Sequence, residues 1–277
     1  MANGMNHGTN GAALVLAAHG SATDSTVHDL VRGYVDRLAN LPHFAEVSAA
    51  FHLGEPSFAT VLDALDAHRV IVVPLMTSRG YFSDIVLPKE LARNRRWQEV
   101  DLVLTDPVGT HRDMATLVFR RVGDCIHRQG FAAHETSVIL VGHGTPRHAH
   151  SSESTSQLAG ALRTRHSAWD VSAAFLDGVP TVETAIADAK YDNVVVEPFL
   201  IADGPHASRD IPRRLGMEAL EGQSLPMTQR VGNRTVTCDS AVGTDPAILD
   251  LITDLAVRFV DCPRQPAGSG LLAGRSE

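Results

Sequence analysis

The chain is short of cysteine, of long apolar runs and of positive charge, and each shortage removes a class of protein. Its three cysteines, Cys125, Cys238 and Cys262, lie far apart and form no CxxC pair. An odd, scattered set argues against a disulfide framework, a zinc ribbon and a cysteine-ligated iron–sulfur cluster. No stretch approaches the roughly 20 apolar residues of a membrane-spanning helix. The opening residues, Met1 to Gly8, lack the basic-then-apolar pattern of a secretory leader, so a cytoplasmic location is expected. Lys and Arg number 24 against 32 Asp and Glu, and the net charge of −8 argues against wholesale nucleic-acid binding. What remains is a 277-residue chain, 44% hydrophobic and 20% charged, long enough for two modest domains. Histidine is the outlier, with 14 residues. His28, His68, His111, His127 and His134 sit in polar contexts and are expected on the surface.

The chain repeats itself. Leu14 to Ser21 is an apolar run that stops at His19, and Val138 to Thr145 does the same at His143. The two histidines are 143 − 19 = 124 positions apart, and the offset persists. Val47 to Phe51 recurs as Val171 to Phe175, Gly54 and Pro56 as Gly178 and Pro180, Pro74 as Pro198, and Gly80 and Pro88 as Gly204 and Pro212. A constant register over a unit of this length indicates a duplicated domain rather than a solenoid.

Each copy reads as alternating strands and helices. Strand one ends at the histidine, and a helix follows, with Val27, Leu30, Val31, Tyr34 and Leu38 at helical spacing in the first copy. Strands are expected at 47–51, 70–75 and 100–104, with helices from Pro56, around Pro88 and from Met114 to Ile126. The second copy repeats this order, with an insertion within 221–234, a strand over Thr235 to Cys238 and a last helix through Ile248 and Phe259. Asp210 is placed to cap the helix that starts near Pro212. The expected fold is α/β: two homologous lobes, each a parallel sheet flanked by helices, with a cleft between them. The boundaries read as a tail at 1–11, lobes at 12–132 and 133–262, and a tail at 263–277 that its composition marks as disordered.

The differences between copies locate the chemistry. Adding 124 to Leu53, Val73, Phe82 and Val86 gives Asp177, Glu197, His206 and Asp210. Ligands of such sheets bind beyond the carboxyl ends of the strands, so His143, Asp177, Glu197 and His206 are all expected to meet on one edge. Two neutral imidazoles and a carboxylate suit a borderline divalent metal, and ligands on separate loops suit one that is held and released. Asp177 also precedes Gly178, which is ordinary turn chemistry. Glu197 interrupts an apolar strand, and either lines a pocket or pairs with an arginine. Arg209 and Arg213 lie close to His206 and can form a positive rim.

These motifs resemble the sirohydrochlorin chelatases of cobalamin and sirohaem synthesis, single-subunit tetrapyrrole metal chelatases related to ferrochelatase. The resemblance rests on the strand-end His-Gly-Ser/Thr, the Phe-x-x-Gly-x-Pro after strand two, the Val-Val-x-Pro strand, and above all Gly204, His206, Asp210, Ile211 and Pro212. It covers about residues 12–260, as the two-domain form with its site in the second lobe. It implies a lyase that inserts divalent cobalt, iron or nickel into a tetrapyrrole such as sirohydrochlorin. The metal would be a substrate rather than a permanently bound cofactor. It implies His143, His206 and Asp177 as metal ligands and catalytic groups, and Thr145, Arg147, Arg209 and Glu197 as substrate contacts. Phe51, Met76, Tyr81 and Phe82 would supply an apolar wall. The partner would be the tetrapyrrole, with neither nucleic acid nor membrane involved, and the protein a monomer or homodimer. Three rivals remain: a non-catalytic carrier of the same fold; a His-Gly phosphohydrolase, which would want arginine where Gly142 stands; and a duplicated regulatory binding domain that has lost activity, against which the intact His206 loop argues.

Overall fold

A computed structural model describes residues 11–144, 150–218, 224–262 and 271–272. The chain divides into two compact units. Unit 1 holds the residues up to Leu75, Phe82–Pro107 and those from Ile252 on; unit 2 holds Met76–Tyr81 and Val108–Leu251.

Unit 1 begins with β1 (Ala13–Gly20), in which every residue except His19 is buried. Helix α1 (Thr26–Leu38) turns His28, Val31, Tyr34 and Leu38 inwards, a three-and-four spacing that makes one helical face. Strand β2 (Glu46–Leu53) follows, then a single 3-10 turn at Val61–Ala64, where a full helix from Pro56 was expected. Strand β3 (Arg69–Pro74) is apolar because both faces are covered. A π-helical turn, Phe82–Val86, runs into α2 (Leu87–Leu91), and β4 (Asp101–Leu104) completes the ordered run.

Unit 2 opens with α3 (Met114–Gln129), closed by Gly130 in the left-handed conformation, and continues with β5 (Thr136–Gly142), α4 (His150–Arg165) and β6 (Asp170–Phe175). Thr181 caps α5 (Val182–Ala187) by accepting from the Thr184 amide, and β7 (Asn193–Pro198) follows. A π-helical turn at His206–Asp210 runs into α6 (Ile211–Arg214). The expected insertion forms β8 (Met227–Val231), which pairs antiparallel with β9 (Arg234–Cys238). Helix α7 (Ile248–Val257) contains the division between the units, after Leu251, and β10 (Leu271–Leu272) belongs to unit 1.

The unit 1 sheet has the order β10-β4-β3-β1-β2 and is parallel throughout. The unit 2 sheet has the order β6-β5-β7-β9-β8 and is parallel except for β8. In both, the histidine-bearing strand lies between strands two and three of its copy, one strand in from an edge of the sheet. The α/β class and paired sheets thus match the sequence reading.

The contiguous division at 132/133 differs from this partition. Helix α3, at the end of the first copy, joins unit 2: Phe119 stacks on Trp169 at 4.9 Å, and Arg121 bonds Glu197 of β7. The chain end joins unit 1, where Arg69 donates to the carbonyls of Phe259 and Val260. Leu271–Leu272 pairs with β4, which departs from the disorder expected over 263–277; residues 263–270 and 273–277 lie outside the described residues. His28 and His111 are buried rather than superficial, and His28 contacts the Leu53 carbonyl through Nε2 at 2.9 Å.

Candidate functional site

Strand β5 carries its chain to the sheet edge wholly buried, and His143 is the first residue to emerge. Gly144 follows with φ of 69°, where a Cβ would lie 2.9 Å from the Phe175 Cβ. Only glycine takes this turn without strain, and it swings the His143 ring outwards instead of continuing the strand. The same device recurs at Gly20, with φ of 71°. The Asp177 amide donates to the His143 carbonyl at 2.8 Å and ties the loop after β6 to the end of β5.

His206 starts the π-helical turn, and Ala207, fully buried, anchors that turn against the core. Such turns frequently mark functional sites because they rotate one side chain out of helical register. The rings of His143 and His206 meet edge to face, their centroids 5.1 Å apart. Asp177 Oδ2 lies 3.6 Å from His143 Nδ1. The structure therefore brings together all three residues expected to hold and transfer a metal.

The partners of the rings define their tautomers. His143 Nδ1 lies 2.9 Å from the Gly144 carbonyl, and His206 Nδ1 lies 2.8 Å from Asp210 Oδ2. Carbonyls and carboxylates only accept, so each neutral ring carries its proton on Nδ1 and its lone pair on Nε2. With metal–nitrogen bonds near 2.0–2.1 Å, two imidazoles converging on one ion at 90–110° have centroids about 4.5–5.3 Å apart. The observed separation of 5.1 Å falls in that range. Among the described residues no group of three or more His, Cys, Asp or Glu side chains is placed to hold a metal ion. The site offers two nitrogens with a carboxylate beside them, and both rings are about half exposed, at 48% and 57%.

Asp210 is the functional residue that the sequence reading assigned a different task. It makes no side-chain cap bond to α6 and instead holds His206. Burial raises its carboxyl, but hydrogen bonds from His206 and Arg209, and their charges, outweigh that and hold it below the usual carboxylate range. The signal was present as an i, i+4 His–Asp pair, a spacing that meets on one helical face.

The remaining expectations separate. Arg209 is exposed at the rim and contacts Asp210 Oδ1 at 3.2 Å; Arg213 is exposed as well. Thr145 and Arg147 lie outside the described residues. Glu197 is corrected as a substrate contact: it is wholly buried, with Oε1 2.5 Å from Arg121 Nε. Arg121 also reaches Asp245 and the Ser240 carbonyl. Burial pushes the Glu197 carboxyl up against the pull of Arg121, whereas Arg121 holds its proton more firmly than usual because Glu197, Asp239 and Asp245 outweigh its own burial. This is a structural ion-pair knot inside unit 2. Phe51 is likewise buried in unit 1 and cannot serve as a wall.

Comparison with known proteins agrees with this arrangement. The CbiX family model matches the chain twice, over residues 13–125 and 137–258, one match to each copy of the repeat. A protein of Halobacterium salinarum named as a probable sirohydrochlorin cobaltochelatase is 30% identical over 264 residues, covering 88% of this chain and 90% of its own. DR2241 of Deinococcus radiodurans, a multi-domain protein described as structurally similar to chelatases, superposes with a TM-score of 0.69 at 22% identity. That alignment covers 88% of this chain, which spans about half, 54%, of that protein. The sirohydrochlorin chelatase SirB of Bacillus subtilis subspecies spizizenii, solved with cobalt, superposes with a TM-score of 0.65 at 16% identity, over 88% of this chain and 93% of its own. With the strand-end histidines, the unequal copies and both family matches in place, the chain belongs to the CbiX family.

Proposed function

We propose that the protein inserts a divalent metal, cobalt or iron and in principle nickel, into a tetrapyrrole such as sirohydrochlorin, with His143, His206 and Asp177 as the working groups. The observation that carries the reading is the convergence of the two imidazoles at 5.1 Å, each with its Nδ1 engaged from behind. The ion is a substrate, and both Nε2 lone pairs present it to the macrocycle. Insertion expels two pyrrole protons. As the ion moves from the imidazole nitrogens to the pyrrole nitrogens, the two vacated lone pairs accept those two protons, one per ring. Asp177 and Asp210 lie where they balance the resulting imidazolium charges, and the exposure of both rings lets the protons pass to water. Arg209, at the rim, is suited to a peripheral carboxylate of the macrocycle.

The test is metallation of sirohydrochlorin at catalytic protein concentration, followed by absorbance with Co²⁺, Fe²⁺ and Ni²⁺ in parallel. Many turnovers with at least one ion are expected, and His206→Ala should abolish insertion while retaining macrocycle binding. Wild-type-like rates in His206→Ala would reject the assignment. Binding of macrocycle or metal without turnover in the native protein would favour a carrier.

A further inference from the structure

The turn that presents His206 is braced twice by the residues that follow β9. The Gly243 amide donates to the Leu200 carbonyl at 2.9 Å, and a Cβ at Gly243 would collide with the Ile201 carbonyl oxygen, so the two backbones lie in direct contact. Three residues before His206, the half-buried Asp203 accepts from the Ala241 amide through Oδ1 at 2.6 Å. Gly204 comes next, and its carbonyl takes the Ala207 and Ser208 amides at 2.9 and 3.0 Å, which starts the turn. The Ser240–Ala241 peptide is engaged at both ends: its N–H donates to Asp203, and its C=O accepts from Arg121 Nη2 at 2.5 Å. Hydrogen bonds in such a chain polarise and strengthen one another. Burial is the larger effect on the Asp203 carboxyl and pushes it up, against the Ala241 amide, the Ser240 side chain and the Arg121 charge. The Glu197–Arg121 pair is thereby linked to the His206 turn through one peptide and one carboxylate.

The first copy of the repeat keeps one brace and lacks the other. Beyond the insertion the offset between copies becomes 238 − 104 = 134, because Leu104 pairs with Val72 and Cys238 with Val196. Gly109, the counterpart of Gly243, donates its amide to the Met76 carbonyl at 2.9 Å, and a Cβ there would collide with Thr77. Ala241 corresponds to Pro107, which has no amide hydrogen to give, and Asp203 corresponds to Arg79. The carboxylate tie therefore belongs to the copy that carries His206 and not to the copy that has Phe82 in its place. The glycine brace, present in both, serves the fold; the tie goes with the histidine. Its use is geometric. The ring separation of 5.1 Å lies only about 0.2 Å inside the upper end of the range in which two imidazoles share an ion, and Gly204, without a side chain, is a natural hinge. We propose that Asp203 is a positioning residue for His206: its bond to the Ala241 amide fixes the turn so that the His206 and His143 nitrogens converge.

The assignment rests on the reading of His143 and His206 as the metal-handling pair, and its test separates the two. Full-length Asp203→Ala, Asp203→Asn and Ala241→Pro are compared with the native protein by Co²⁺ calorimetry, by metallation rate against Co²⁺ concentration, and by the nuclear Overhauser contact between the two imidazoles. Ala241 has φ of −56°, which proline adopts without strain, so Ala241→Pro removes the donor and little else. Asp203→Ala and Ala241→Pro should each weaken Co²⁺ binding by about 10-fold or more and raise the half-saturating Co²⁺ concentration by the same factor, with the maximal rate little changed. Asp203→Asn keeps an acceptor oxygen and should bring the affinity back to within about threefold of native. A residue that served stability alone would lower the melting point and leave the Co²⁺ affinity where it was. If Asp203→Ala fails to fold, Ala241→Pro carries the test. Native Co²⁺ affinity in the folded variants would overturn the proposal. If the native protein neither binds nor inserts Co²⁺, the chelatase reading fails, and the ring contact still decides: its loss in the variants supports the positioning role, and its persistence overturns it.

Discussion

The carboxylate behind His206 offers the sharpest test of how the unit 2 site works. Asp210→Asn keeps the shape of the side chain and removes its charge. In the native site Asp210 Oδ2 accepts from His206 Nδ1 at 2.8 Å and therefore places the lone pair on Nε2. Asparagine presents either its oxygen, which preserves that tautomer, or its amide NH₂, which donates to Nδ1 and moves the ring proton to Nε2. The second arrangement cannot ligate. Charge-assisted hydrogen bonds are about twice as strong as neutral ones, and outer partners of metal-binding histidines typically cost about 10–100-fold in affinity or activity when removed. That range corresponds to roughly 1.4–2.7 kcal/mol. Initial metallation rates against metal concentration should show this loss, and the ¹⁵N shifts of the His206 ring should report a mixed tautomer. Arg209→Ala is the control: its contact with Asp210 is solvent-exposed, and exposed pairs contribute about 0–1 kcal/mol, so the metal dependence should change by less than about fivefold. If Asp210→Asn matches wild type within twofold in both rate and metal affinity, the orienting role is refuted.

The ion-pair knot inside unit 2 predicts stability. Arg121→Met leaves Glu197 buried beside Asp239 and Asp245, which should cost about 3–5 kcal/mol, and at about 2–4 °C per kcal/mol calorimetry should show a melting point lower by roughly 6–20 °C; a shift under 2 °C would sink the ion-pair account. Asp245 is raised by burial but lowered more by the Ala247 amide, Arg120 and Arg121, so its folded value lies below its unfolded one. Its stabilising contribution is thus present above the ordinary carboxylate value of about 3.9 and lost as the pH falls through the folded value. Urea midpoints should consequently fall less between pH 5 and 3 in Asp245→Asn than in the native protein. Burial pushes the Cys125 thiol up to about 12 and Cys238 higher still, whereas Cys262 is exposed. A disulfide-exchange reagent should titrate one thiol in the native state and three in denaturant.

Much of the fold was legible because its signals are local. Buried parallel strands read as apolar runs, and β1, β3, β5 and β7 contain little else, Glu197 and the histidines apart. The site histidines were legible because glycine follows each strand-end imidazole and because the copies could be compared. The helix exchange was not: α3 belongs to the first copy by sequence, and what assigns it to unit 2 is packing by Phe119 and Arg121 against residues some 50 and 76 positions away. Glu197 announced itself as a carboxylate in an apolar strand, but its partner could be named only once the fold had brought Arg121 beside it.

Taken together, the two copies suggest what the chemistry constrains and what it leaves open. Each places one imidazole by the same backbone device, a strand end followed by a left-handed glycine, with Nδ1 at the next carbonyl. The second imidazole comes from different places: His206 of the π-helical turn in unit 2, and His52 of the neighbouring strand in unit 1. Its carboxylate differs too, four residues along the same helical run at Asp210 and across from α2 at Glu90. The ring separation nonetheless differs by only 5.4 − 5.1 = 0.3 Å. Two nitrogens can converge on one ion only within a narrow range of spacings, and each ring needs an acceptor on its far side to hold its tautomer. The unit 2 pair, at 5.1 Å, satisfies that spacing, whereas the unit 1 pair, at 5.4 Å, falls outside it, so the shared backbone device alone does not make a metal site.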